Sequence, residues 1–105
     1  LVTGKIGADL TVEEGTQAAE YAGLSLLATL KHELGDLDKI KRVVKVVGFV
    51  NCIDGFDQQP AVINGASNLF GAVLGDRGIH SRSAVGTNAL PLNVAVEVEC
   101  VVEVE

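Results

Sequence analysis

Ile40-Lys41-Arg42-Val43-Val44-Lys45-Val46-Val47-Gly48-Phe49-Val50-Asn51-Cys52 is the stretch on which the fold turns. β-Branched residues dominate it, which favours a strand. Its centre, Val43 to Val50, is apolar at both parities. A strand that is apolar on both sides is one that is covered on both sides.

Upstream, Thr11-Val12-Glu13-Glu14 spells a capping box. The two glutamates also suit the positive end of a helix. The pattern predicts a helix over 12–34, with Ala19, Ala22, Leu26, Leu30 and Leu34 as its apolar stripe and Gly35 as its stop. Downstream, Asp54-Gly55 marks a turn and Pro60 suits a first helical turn. A second helix is expected over about 59–74, with Val62, Ala66, Leu69, Phe70 and Val73 facing inward. Two more strands follow, Ser83 to Ala89 and Val94 to Val104. The second has a period of two: Val94, Val96, Val98, Cys100, Val102 and Val104 on one face, Ala95, Glu97, Glu99, Val101 and Glu103 on the other. The short Leu90-Pro91-Leu92-Asn93 link predicts that these two strands pair as a hairpin.

A helix between parallel strands makes a right-handed crossover. Both helices then fall on one side of a mixed sheet, giving an α+β two-layer sandwich. The whole chain, 1–105, reads as a single domain. Two helices cover only one sheet face, yet the 40–52 strand is apolar on both. Another copy of the chain is the simplest cover, and a preceding segment is the rival. Apolar burial gains on the order of 25 cal/mol per Å², so a homo-oligomer is expected. The chain has no Met and begins Leu1-Val2-Thr3-Gly4, as though cut into a strand. An N-terminal portion is expected to be missing.

Composition narrows the function. Formal charge is −6, which opposes contact with phosphate backbones and makes nucleic acid a poor partner. With one Tyr, three Phe and no Trp, bases have few rings to stack on. Cys52 and Cys100 lie in strand-like stretches and read as reduced thiols of a cytoplasmic, soluble protein. His32 and His80 lie far apart with no ligand spacing, so no metal or cofactor is expected. No apolar run is long enough to span a membrane.

One constellation carries chemistry. Counting across the expected hairpin puts Gly86 opposite Glu97 and Ala84 opposite Glu99, so Arg82 would share a face with both glutamates. A guanidinium grips a carboxylate bidentately. A neighbouring glutamate can hold and polarise water. Small residues Ser83, Ala84 and Gly86 leave room between them. An ordinary Arg–Glu pair bracing the hairpin is the alternative. The cluster Lys39, Lys41, Arg42 and Lys45 reads as a solvated strand end.

His80-Ser81-Arg82-Ser83-Ala84-Val85-Gly86, then Leu90-Pro91-Leu92-Asn93 and Val96-Glu97-Val98-Glu99, resembles the C-terminal signature of the YjgF/RidA family. Val43-Val44-Lys45, Phe49-Val50-Asn51 and Ile63-Asn64-Gly65 also match. Gly4-Lys5-Ile6-Gly7 and Gly35-Asp36-Leu37 resemble its YjgF-like, putative endoribonuclease branch. The resemblance implies a chorismate-mutase-like fold lacking its N-terminal strands, and a homotrimer with clefts between subunits. It implies an enamine/imine deaminase that hydrolyses 2-aminoacrylate-like intermediates to 2-keto acids and ammonia. Arg82 would then bind the substrate carboxylate, with Asn64, Ser83 and Ala84 around it, and Glu97 would position the attacking water. Ala84 stands where the family usually has Cys. A non-catalytic metabolite-binding trimer is the alternative, and an endoribonuclease a further one.

Overall fold

The computed structural model describes residues 1–105. Helix α1 spans Val12–Leu34, strand β1 Ile40–Asn51, helix α2 Gln59–Leu74, strand β2 Ser81–Thr87 and strand β3 Val96–Val104. The capping box at Thr11 forms as the sequence predicts. The Thr11 hydroxyl accepts from Glu14 N at 3.1 Å, and Glu14 Oε1 accepts from Thr11 N at 3.0 Å. Gly35 ends α1 at a φ of 84°, donating its N–H to Lys31 O.

Both helices pack on one face of a three-stranded mixed sheet, so the two-layer α+β reading holds. The strand order is β2-β1-β3, with β1 parallel to β2 and antiparallel to β3. The expected hairpin of β2 with β3 therefore does not form. β1, long and rich in β-branched residues, takes the centre and bonds both neighbours. Pro91–Asn93 is a 3-10 turn in which Leu92 and Asn93 adopt φ of 58° and 56°. From there the chain crosses the end of β1, where Asn51 N donates to Ala95 O.

Asn51 ties that end together. Its buried side chain donates to Val94 O at 3.1 Å and Asn93 Oδ1 at 3.2 Å, and accepts from Lys5 Nζ at 2.9 Å. An amide that satisfies several elements at once holds a buried polar position without penalty. The N-terminal stretch joins through isolated bridges such as Thr3 with Val94 and Ile6 with Cys52.

The helix stripes sit differently from the sequence pattern. α1 buries Gly15, Ala18, Ala19, Gly23 and Leu27, while Leu26, Leu30 and Leu34 are half-buried on its flank. α2 buries Ile63, Gly65 and Leu74 beside Val62, Ala66 and Phe70, and leaves Val73 45 % exposed. Small residues let backbones approach, so they and not the leucines mark the helix contact. A Cβ on Gly65 would lie 2.1 Å from Thr16 O, and one on Gly48 2.4 Å from Ile63. The basic cluster is exposed, with Arg42 Nε 3.2 Å from Glu103.

Gly65→Ala is expected to destabilise the protein by about 1–3 kcal/mol, because overpacking outweighs the gain in helix propensity. Gly71→Ala in the same helix meets open space and should stabilise by up to about 1 kcal/mol. Urea unfolding of the two variants checks both signs; equal effects would contradict the packing assigned to Gly65.

Candidate functional site

Side chains alternate along each strand, so the residues opposite one another across a ladder share a face. Arg82 pairs with Val46, and Val46 pairs with Cys100. Val46 is fully buried beneath the helices. Arg82 therefore projects on the helix side of β2, an edge strand. Glu97 pairs with Phe49, and Glu99 with Val47. Val46 and Phe49 are an odd number of residues apart, so Arg82 and Glu97 lie on opposite faces. The shared face expected from the hairpin is thus overturned, because β1 intervenes and sets each register independently.

The helix-side strip runs Arg82, Ala84, Gly86 along β2, with α2 as its wall. Arg82 Nη1 donates to Ser67 Oγ at 3.2 Å, and Nη2 to Pro60 O at 3.3 Å. Residues 60, 64 and 67 follow helical spacing, which puts Asn64, exposed, on the same α2 face as both acceptors. Ala84 lies between the guanidinium and a cavity of about 260 Å³ lined by Cys52, Phe56, Gln59, Gly86 and Thr87 among others. A Cβ on Gly86 would lie 2.8 Å from Gln59 Nε2 and 2.9 Å from Cys52 Sγ, so a side chain there would have to displace both.

Arg82 has no carboxylate partner in its own chain. The ion pairs present are Arg42 with Glu103 and Arg77 with Asp38. Both acceptors that hold the guanidinium are neutral, and its remaining N–H groups are uncommitted. A half-buried cation fixed by neutral oxygens and one step from solvent is arranged to receive an anion.

Two residues here escaped the sequence reading. Ser67 Oγ lies 2.9 Å from His80 Nε2, and His80 Nδ1 lies 2.6 Å from Gly78 O. The edge of one ring meets the face of the other where His80 and Phe70 pack, with centroids 5.9 Å apart. His80 has the same parity as Arg82, which was a usable signal. Ser67 carried none, because its meeting with β2 depends on how α2 crosses the sheet.

The opposite sheet face is open. Lys45, Val47 and Phe49 of β1 lie between Ser81, Ser83 and Val85 of β2 and Glu97, Glu99 and Val101 of β3. Val85 is 44 % exposed and Val101 58 %. Ser83 and Glu97 therefore stand together on this side, away from Arg82, Asn64 and Ala84. Both cysteines are free thiols, and burial pushes the Cys100 thiol above its usual range. No helix is long and apolar enough to cross a membrane.

The chain is similar to proteins of one kind. The family model described as "YjgF/chorismate_mutase-like, putative endoribonuclease" matches residues 1–104. Protein TCP17 of Trypanosoma cruzi is 48 % identical over 103 residues, covering 97 % of this chain and 64 % of that protein. The chain thus spans just under two thirds of that curated relative. The crystal structure of Atu1372, a protein of unknown function from Agrobacterium tumefaciens, superposes with a TM-score of 0.97 at 48 % identity, covering 99 % of this chain and 67 % of that one. That of a putative endoribonuclease from Shewanella oneidensis does so at 0.95 and 35 %, covering 99 % and 69 %. With a family match over nearly every residue and the same two-layer architecture, the chain belongs to the YjgF/chorismate-mutase-like family.

Proposed function

We propose that this chain is a Rid-type enamine/imine deaminase that works as a homotrimer and takes small carboxylates such as 2-aminoacrylate. The observation that carries the reading is Arg82, held by Ser67 and Pro60 O with no carboxylate of its own. The substrate carboxylate takes the open side of the guanidinium fork. Asn64 offers an amide beside it, and Ala84 leaves space for the carbon skeleton.

Glu97 faces the other side of its own sheet, so the glutamate that meets the ligand belongs to a second copy. The open face supports this. Val47, Phe49, Val85 and Val101 form an apolar surface around Glu97 and Glu99, and apolar patches of this kind are interfaces more often than not. Ser83, on that same face, lies at the subunit boundary. Glu97 of the second copy accepts a proton from water as the water oxygen bonds to the imine carbon. Glu97 then gives that proton to the nitrogen of the resulting carbinolamine, the C–N bond breaks to release ammonia, and the hydroxyl returns its proton to Glu97 as the carbonyl of the 2-keto acid forms.

A second reading, RNA cleavage, has support in the family's description and in the name of the Shewanella protein. A charge of −6 and the scarcity of aromatic rings weigh against it.

Purified protein is expected to accelerate keto-acid release from freshly generated 2-aminoacrylate, and Arg82→Ala to abolish it. Glu97→Gln should stop turnover while pyruvate still binds. No acceleration by the wild type sinks the reading, and RNA cleavage that vanishes in Arg82→Ala would replace it.

Mixing the two inactive variants should restore activity, since random assembly leaves roughly a quarter of the interfaces with both native residues. Light scattering on the same samples should give a trimer at micromolar concentration. A monomer, or mixtures that stay inactive, would remove the shared site.

A further inference from the structure

We propose that Ser67 and His80 form a proton relay that protonates the substrate held by Arg82. The inference rests on the deaminase reading above and adds two catalytic-site residues to it: Ser67, which touches the substrate, and His80, which acts through Ser67.

The hydrogen bonds fix the direction of the relay. A backbone carbonyl only accepts, so the 2.6 Å contact with Gly78 O places a proton on His80 Nδ1 in every charge state. Only Nε2 is left to gain or lose one, and Nε2 faces Ser67 Oγ at 2.9 Å. When the imidazole is neutral, Ser67 donates its hydroxyl proton to Nε2. When it is imidazolium, Nε2 donates instead, and the Ser67 hydroxyl is freed to donate elsewhere. Arg82 Nη1 already donates to the same oxygen at 3.2 Å. The freed hydroxyl therefore points away from both cations, toward the anion that Arg82 binds.

An enamine must be protonated at carbon before water can add. In the relay, His80 Nε2–H passes its proton to Ser67 Oγ while the Ser67 hydroxyl proton moves to the methylene carbon of the enamine. The C=C electron pair forms the new C–H bond, and the nitrogen lone pair forms C=N. The substrate becomes an iminium, His80 becomes neutral imidazole, and solvent reprotonates it. Nothing is oxidised or reduced.

The surroundings suit a group that changes charge. Phe70 packs on the ring from α2, and Ser67 from α2 separates it from Arg82 on β2. In the preceding turn, Asp76 makes no ion pair, and Arg77 is turned onto Leu37 O and Ile40 O. No carboxylate lies within ion-pair reach of the imidazole to lock it in the charged state.

The test is steady-state kinetics on 2-aminoacrylate with Ser67→Ala, Ser67→Thr and His80→Gln. A general acid contributes on the order of 10²-fold or more, so Ser67→Ala and His80→Gln should lower kcat by about that factor with little change in KM. Ser67→Thr, which keeps the hydroxyl, should restore most of it. Wild-type kcat should fall as rising pH deprotonates the imidazole, and this limb should be missing in His80→Gln. If Ser67→Ala does not fold, the pH profile of His80→Gln decides. Turnover lost in Arg82→Ala but unchanged in the relay variants overturns the relay alone. A rise in KM at constant kcat does the same and leaves Ser67 a binding contact. Absence of wild-type turnover overturns the relay together with the deaminase reading.

Discussion

Strand β1 is hydrogen-bonded along both edges, and the rest of the molecule is referred to it. Its even-numbered residues from Val46 to Val50 lie under the helices, and Val47 and Phe49 face the other way. A one-residue slip would exchange those two sets, which strongly penalises any other register. Once β1 is set, the parallel pairing carries Arg82, Ala84 and Gly86 to the helix side, and the antiparallel pairing carries Glu97 and Glu99 to the open side.

That division explains why the cation and the carboxylate do not neutralise each other. Within one chain a sheet separates them, and Arg82 is steadied by a serine and a peptide carbonyl instead. Neutral partners hold the guanidinium in place without cancelling its charge. The close approach of the two helices matters for the same reason. Gly65 lets α1 press on α2, and α2 in turn carries Pro60, Asn64 and Ser67 along the edge of β2. A looser helix pair would move the wall of the site away from the arginine.

Much of this was legible in the chain itself. The Thr11–Glu14 box and Gly35 bound α1 correctly, because capping is local and needs no tertiary partner. Pro60 and the apolar spacing around Phe70 did the same for α2. The hairpin failed because turn residues report on local chain direction, not on which edge a strand joins. Leu90 to Asn93 does turn the chain, but the partner on the far side is β1. The helix stripes shifted because hydrophobic spacing favours leucines, whereas close approach of the helix backbones selects glycine and alanine, as at Gly23 and Gly65.

By itself the sequence determined the kind and order of the elements, the limits of both helices and the two-layer class, while the two later strands begin at Ser81 and Val96 and not at the expected Ser83 and Val94. The kinds of element and the helix limits follow from short-range rules: capping, periodicity and β-branching act within a few residues. Only the tertiary structure decided that β1 stands between β2 and β3, that residues 82 and 97 look in opposite directions, and that Ser67 and His80 meet beside the guanidinium. Those facts depend on ladder register and helix crossing, which are set by packing between segments far apart along the chain.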